Sequence, residues 1–209
     1  MFIRDMFGII VVINKGNTVG SLTSTQKEIL VGSLLGDGTL RKQGTRTNAL
    51  FEVNHSYQRK EYVDWKYENF QMYVKTPPKS RKGNGNRIAY RFTTRSLPIF
   101  TEYYYKFYSA GKKFIAPNIK LSDLILSVWF MDDGAKSRNS FYLNTQQFSV
   151  EDQMFLVNRL KRDLQIESSL NKDKQYFRIR IKTESANKLR KIISAYLLPC
   201  FIYKLTMTP

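Results

Sequence analysis

Leu30-Val31-Gly32-Ser33-Leu34-Leu35-Gly36-Asp37-Gly38 and Leu126-Ser127-Val128-Trp129-Phe130-Met131-Asp132-Asp133-Gly134 are one nine-residue pattern written twice. Each is an apolar stretch with a small residue near its start, closed by an acid and a glycine. Such a stretch predicts a helix, and the acid and glycine predict its end. Asp37 and Asp133 stand 96 positions apart in a chain of 209 residues, which suggests a pseudo-symmetric pair. Gly32 and Ser127 are small enough to let two such helices approach closely. Leu30, Leu34, Leu35, Leu126 and Phe130 would pack around that contact, and Asp37 and Asp133 would then meet at the helix ends. A carboxylate there faces the negative end of the helix macrodipole, and two converging carboxylates repel each other. A divalent cation would relieve both, with the free backbone carbonyls of Gly36 and Asp132 as further oxygen ligands. One copy alone reads equally well as a helix stop; the second, at a matched position, favours the metal site.

The repetition extends beyond the helices. After Asp37 come Arg41 and Lys42, then a strand over Phe51–Tyr57; after Asp133 come Lys136 and Arg138, then a strand over Tyr142–Phe148. A helix follows each strand. In the second half it opens at Ser149 with a capping-box pattern, and Met154, Val157, Leu160 and Leu164 mark its buried face. The helix of the first motif has its own capping-box pattern at Thr25–Glu28, and Ser122-Asp123 serves the second motif. Turns are expected at Gly83–Asn86 and Asn171–Lys174, each ahead of a strand containing Arg91 or Arg180. Each half closes with a helix and a lysine, Lys113 or Lys204. Matched landmarks (Asp37/Asp133, His55/Gln146, Arg91/Arg180, Lys113/Lys204) lie 96, 91, 89 and 91 positions apart. The fold class is therefore α+β: two pseudo-twofold-related α-β-β-α-β-β-α halves over residues 21–116 and 122–209. A short linker over 117–121 joins them, and a lead segment, 1–20, precedes them.

Composition narrows the function. Lys and Arg number 34 against 17 Asp and Glu, a net charge of +17. With 42% hydrophobic and 14% aromatic residues, the chain can bury a core, so the charge sits on a folded body. A surplus of that size implies a polyanionic partner, nucleic acid before membrane. The longest apolar run, Phe7–Ile13, is far short of a membrane span, and no small-residue cleavage site follows it. One Cys and one His exclude an intrachain disulfide framework and disfavour a zinc site. Oxygen ligands point to Mg²⁺ or a close relative. The bias to Lys, Asn, Ile, Phe and Tyr suggests an AT-rich genome such as an organelle's.

In Val31–Gly38, Trp129–Gly134, Leu143–Phe148 and Tyr196–Pro199 the chain resembles a single-chain homing endonuclease of the LAGLIDADG family. The resemblance implies two antiparallel sheets forming a saddle on double-stranded DNA, cut on both strands to leave short 3' overhangs. It implies that Asp37 and Asp133 are the metal-binding catalytic acids and that Lys113 and Lys204 are basic pocket residues. Gln146, with His55 in the equivalent place of the first half, becomes a polar residue near the hydrolytic water. Mg²⁺ would serve, Mn²⁺ substitute, and Ca²⁺ support binding without cleavage. The protein would act as a monomer. Phosphodiester hydrolysis without a covalent intermediate needs an activated water and a stabilised leaving oxygen, which metal between two carboxylates can supply. No nucleophile motif, Walker loop or redox motif competes.

DNA contact is expected from the strands and their loops. Arg178, Arg180 and Lys182 alternate with Phe177, Ile179 and Ile181, making one face basic and the other packed. Arg41, Arg46, Asn48, Arg81, Lys82, Arg87, Arg91 and Arg95 add donors in the first half, and Lys136, Arg138, Lys172 and Lys174 in the second. The halves differ in these residues, so the target is not a palindrome. An intron maturase, binding RNA on the same fold, is the alternative, and a transcriptional regulator a weaker one. Retention of both acids favours the nuclease.

Overall fold

A computed structural model describes residues 2–4, 10–12, 21–42, 44, 47–83, 85–137 and 140–206. The first half runs α1 (Ser24–Leu35), β3 (Thr39–Arg41), β4 (Leu50–Ser56), α2 (Lys60–Phe70), β5 (Lys79–Lys82), β6 (Ile88–Thr93) and α3 (Pro98–Phe107). A short hairpin, β7 (Tyr108–Ser109) and β8 (Lys112–Lys113), closes it. The second half runs α4 (Asp123–Asp133), β9 (Gly134–Ser137), β10 (Ser140–Leu143), α5 (Val150–Leu164), β11 (Ser168–Asp173), β12 (Tyr176–Ile181) and α6 (Ala186–Ser194). It ends in a 3₁₀ turn over Pro199–Lys204. Within the lead segment, β1 (Phe2–Arg4) pairs antiparallel with β2 (Ile10–Val12). Both four-stranded sheets are antiparallel and share one order, β3-β4-β6-β5 and β9-β10-β12-β11. No helix among the described residues is long and apolar enough to cross a membrane.

The two motif helices pack on each other at the centre. They are apolar on nearly every side because the other elements surround them; Ile29, Leu30, Leu34, Leu126, Val128 and Trp129 are all buried. Gly32 makes the close approach possible. A Cβ there would lie 2.7 Å from Val128 Cβ and 2.8 Å from the Ile125 carbonyl oxygen. α1 begins two residues earlier than its sequence suggests: Thr23 is the N-cap, its hydroxyl accepting from Gln26 N while Gln26 Oε1 accepts from Thr23 N. Ser122 caps α4 and Ser149 caps α5, as expected.

Three local expectations are corrected. β10 stops at Leu143, because Asn144 N turns to donate to the Asp133 carbonyl and the chain then coils into the Ser149 cap. β11 extends through Asp173, and the chain reverses after it at Lys174, whose φ of 56° is left-handed. The buried face of α5 is Gln153, Leu156, Leu160 and Leu164, while Met154 is exposed. The expected turn at Gly83–Asn86 does join β5 to β6, Gly83 N donating to the Arg87 carbonyl; Asn84 lies outside the described residues.

Sheet register also sharpens the repeat. Leu40 pairs with Phe51 and Lys136 with Phe141, so Phe51 and Phe141 are counterparts. Counting on from them, Thr145 falls at the position of His55, past the end of β10 at Leu143. Val53 pairs with Phe92 and Leu143 with Ile179, so Arg91 answers to Arg178 and not to Arg180. Loop lengths differ between the halves, which is why a single offset does not hold along the chain.

Candidate metal centre and nucleic-acid interface

α1 and α4 end side by side, which puts Asp37 and Asp133 on one cleft of about 460 Å³ with Thr39, Tyr108, Lys113, Asn144, Gln146 and Gln147. Asp37 lies just past the end of α1 with half its side chain exposed. Asp133 is the last residue of α4. Burial, then repulsion from Asp37 and Asp132, pushes the Asp133 carboxyl up to about 7 despite Lys113 and Lys204 nearby. Burial and Asp132 raise Asp37 as well. Two carboxylates that resist ionisation side by side, both opening on one cleft, suit a hard divalent cation held by oxygen.

The lysines come from unlike elements, Lys113 from a strand and Lys204 from a 3₁₀ turn, yet they do the same thing. Lys113 Nζ donates to the carbonyls of Gly36 and Gly38, both at 3.0 Å. Lys204 Nζ donates to Phe130, Met131 and Asp132 at 3.2, 2.7 and 3.2 Å. Each lysine thus neutralises the carbonyl end of its own half's motif helix. The carbonyls of Gly36 and Asp132, expected to be free for a metal, already accept these ammonium groups. Burial lowers both lysines, Lys204 to about 8. Lys112, next in sequence to Lys113, is exposed.

Gln146 lines the cleft, its amide donating to Asp173 Oδ2 at 2.8 Å. His55 is elsewhere. Alternation along β4 points it inward with Phe51 and Val53, towards the helices, and its side chain is only 9% exposed. Its nitrogens stand 3.7 Å from Asp37 Oδ2 and 3.7 Å from Asp132 Oδ1, beyond hydrogen-bonding distance. Burial, then Lys66, lowers its imidazole to about 3. Thr145, its counterpart, instead hydrogen-bonds Gln153 within its own half.

Two residues escaped the sequence reading. Lys66 on α2 is fully buried and donates to both oxygens of the equally buried Asp132 at 3.2 and 3.3 Å, tying one half to the other. Removing one member of such a pair costs about 3–5 kcal/mol. A signal existed, since Lys66 sits between Tyr62 and Phe70 on the apolar face of its helix, one turn from each. Gly36 makes room for that carboxylate: a Cβ on it would lie 2.4 Å from Asp132 Cβ. The second residue is Arg59, whose guanidinium lies over Phe201 and Tyr203 and donates to the Cys200 carbonyl and Tyr203 Oη. It clamps the turn that carries Lys204.

The outer sheet faces carry most of the expected nucleic-acid residues. Arg41, Arg81 and Arg91 border a hollow of about 470 Å³ on the first sheet, where Arg41 is ion-paired with Glu52. Lys82 and Arg87 are exposed at the end of that sheet. In the second, Arg178 lies over the Tyr142 ring and Arg180 donates to Ser140 Oγ, while Ile179 and Ile181 are buried behind them. Lys172 and Lys174 are exposed at the hairpin tip, and Lys182 just past β12. Three residues are placed differently. Asn48 is half-buried against Thr101; Arg95, still exposed, donates to the Met72 carbonyl; and Lys136 takes the inward place of Leu40 and reaches the Thr206 carbonyl. Arg46 and Arg138 lie outside the described residues.

Residues 27–189 match the LAGLIDADG DNA endonuclease family. A probable intron-encoded endonuclease 1 of Wickerhamomyces canadensis is 30% identical over 88% of this chain and 85% of its own. Cytochrome b mRNA maturase bI2 of Saccharomyces cerevisiae is 31% identical over 90% of this chain and 49% of its own. The homing endonuclease I-WcaI, solved bound to its DNA recognition sequence, superimposes with a TM-score of 0.81 at 27% identity, covering 95% of this chain and 100% of that one. Twin motif helices, two sheets of one topology and this match along most of the chain make it a member of the LAGLIDADG DNA endonuclease family.

Proposed function

We propose that the chain is a homing endonuclease that binds a long asymmetric site in duplex DNA and hydrolyses both strands, leaving short 3' overhangs. The observation that carries this reading is the convergence of Asp37 and Asp133 on one cleft between the two basic sheets. The two carboxylates would hold a divalent cation, Mg²⁺ with Mn²⁺ as substitute. Bound there, such a cation would supply Lewis acidity towards the scissile phosphate and a nucleophilic water near neutral pH. Lys113, lining the cleft, offers positive charge to the phosphate as negative charge builds up on it. Lys204 keeps the carbonyl end of α4 neutralised and so holds Asp133 in place. Gln146, steadied by Asp173, orients water in the cleft. Residues 21–116 and 122–209 each read one half of the site. The protein acts as a monomer, because both acids come from one chain.

Cleavage of a duplex library in Mg²⁺ tests this, with Ca²⁺ and the variants Asp37→Asn and Asp133→Asn as controls. The parent should cut both strands at one site, Ca²⁺ should permit binding alone, and each variant should lose roughly 10²–10³-fold or more in rate. Normal cutting by both variants would sink the assignment of the acids. The maturase relative supports a second reading, intron RNA binding in splicing, which a splicing assay with the host intron tests.

A further inference from the structure

His55 is the chain's only histidine. Its imidazole is nine-tenths buried and no hydrogen bond to it is formed among the described residues, yet it faces two carboxylates. One oxygen each from Asp37 and Asp132 and one ring nitrogen of His55 lie within 4.8 Å of one another. Ligands bonded to one ion at about 2.0–2.2 Å stand roughly 3–4 Å apart, so small side-chain rotations close the triad. We propose that Asp37, Asp132 and His55 form a mixed nitrogen–oxygen site for a divalent transition ion such as Mn²⁺, Co²⁺ or Zn²⁺, built across the two halves and present once.

Three features of the molecule support it. Each ring nitrogen faces a carboxylate oxygen at 3.7 Å, beyond hydrogen-bonding distance, so a nine-tenths buried side chain has no hydrogen-bond partner among the described residues. The triad also occurs once, because Thr145 replaces His55 in the second half and Gly36 replaces Asp132 in the first. Finally, Lys66 offsets the charge of Asp132, leaving the triad a net charge of about one negative unit. A site so weakly charged gives little to Mg²⁺, which favours oxygen, while imidazole favours the transition ions. The inference rests on the two-acid reading for Asp37 alone, which would face the shared cleft on one side and His55 on the other.

Because the histidine is unique, it reports on itself in the unaltered chain. Imidazole ¹⁵N resonances of the full-length protein, followed during titration with Zn²⁺ and separately with Mg²⁺, should shift strongly with Zn²⁺ and scarcely with Mg²⁺. Co²⁺ titrations followed by visible absorption should show a component lost in His55→Gln, checked for folding by circular dichroism, and retained in Asp133→Asn. Imidazole resonances that stay still at saturating Zn²⁺ would overturn the proposal even if the protein does not tolerate substitution. Mg²⁺ and Zn²⁺ binding with an unmoved imidazole would refute this site and leave the paired acids standing. Absence of binding by any divalent ion would remove both.

Discussion

The acid that ends α4 owes its chemistry to where the chain puts it. Asp133 is surrounded by protein on most sides and has Asp37 and Asp132 as neighbours, which together outweigh the lysines. A carboxyl near 7 in the folded chain and near 3.8 in the unfolded one keeps its proton longer in the fold. Between those values the folded state binds more protons, so its stability falls as pH rises through the window and levels off above it. Asp133→Asn removes that charge at almost no change of volume. The metal-free variant should therefore be more stable than the parent at pH 8, by roughly 1–3 kcal/mol, and equal to it near pH 4. Urea denaturation at both values checks this; a parent-like loss of stability between them would place the titration elsewhere. Asp37, Asp133, Lys113 and Lys204 were legible in the sequence because each is written once per half. Lys66 was not, because its partner lies across the interface, and neither was the contact of His55 with Asp132, which also reaches it from the other half.

Elements were legible in proportion to how local their causes are. Ser122 and Ser149 mark helix starts because a hydroxyl satisfies an otherwise orphaned N–H two or three residues on. β12 was readable because Arg178 and Arg180 alternate with Ile179 and Ile181 across a half-buried sheet. β10 was not: Tyr142–Phe148 has the composition of a strand, but Asn144 is drawn off to the Asp133 carbonyl, a partner no periodicity reveals. The pairing of α1 with α4 could be anticipated from Gly32, though not how tight it is. Gly32→Ala gains about 1 kcal/mol of helix propensity, but its methyl meets both Val128 Cβ and the Ile125 carbonyl. Since backbone cannot yield as a flexible side chain does, the helices must separate, which typically costs 1–3 kcal/mol or more. Denaturant midpoints should show a net loss of stability. An unchanged or higher midpoint would mean that α1 and α4 are not packed this closely.

At the scale of the whole molecule, the surplus of positive charge is distributed rather than uniform. The interior neutralises itself: Lys66, Lys113 and Lys204 stand among Asp37, Asp132 and Asp133, three cations against three acids. The net charge of +17 is therefore free to act outside the core, and Arg81, Lys82, Arg87, Lys172 and Lys174 place part of it along the sheets and at the hairpin ends. A duplex lying across both sheets would meet cations along its length, while the two faces differ in what they offer the bases: an ion-paired Arg41 and Glu52 on one, an arginine over Tyr142 on the other. Affinity should follow the phosphates and selectivity the faces. If about 7–10 phosphates are neutralised, log affinity should fall with log salt at a slope of roughly −6 to −9. Arg180→Ala should weaken discrimination at base pairs of one half-site only and leave most of that slope intact. Binding isotherms across a salt series on duplexes substituted in either half-site measure both effects. A slope shallower than about −3, or equal losses in the two half-sites, would mean that the sheets do not share the duplex in this way.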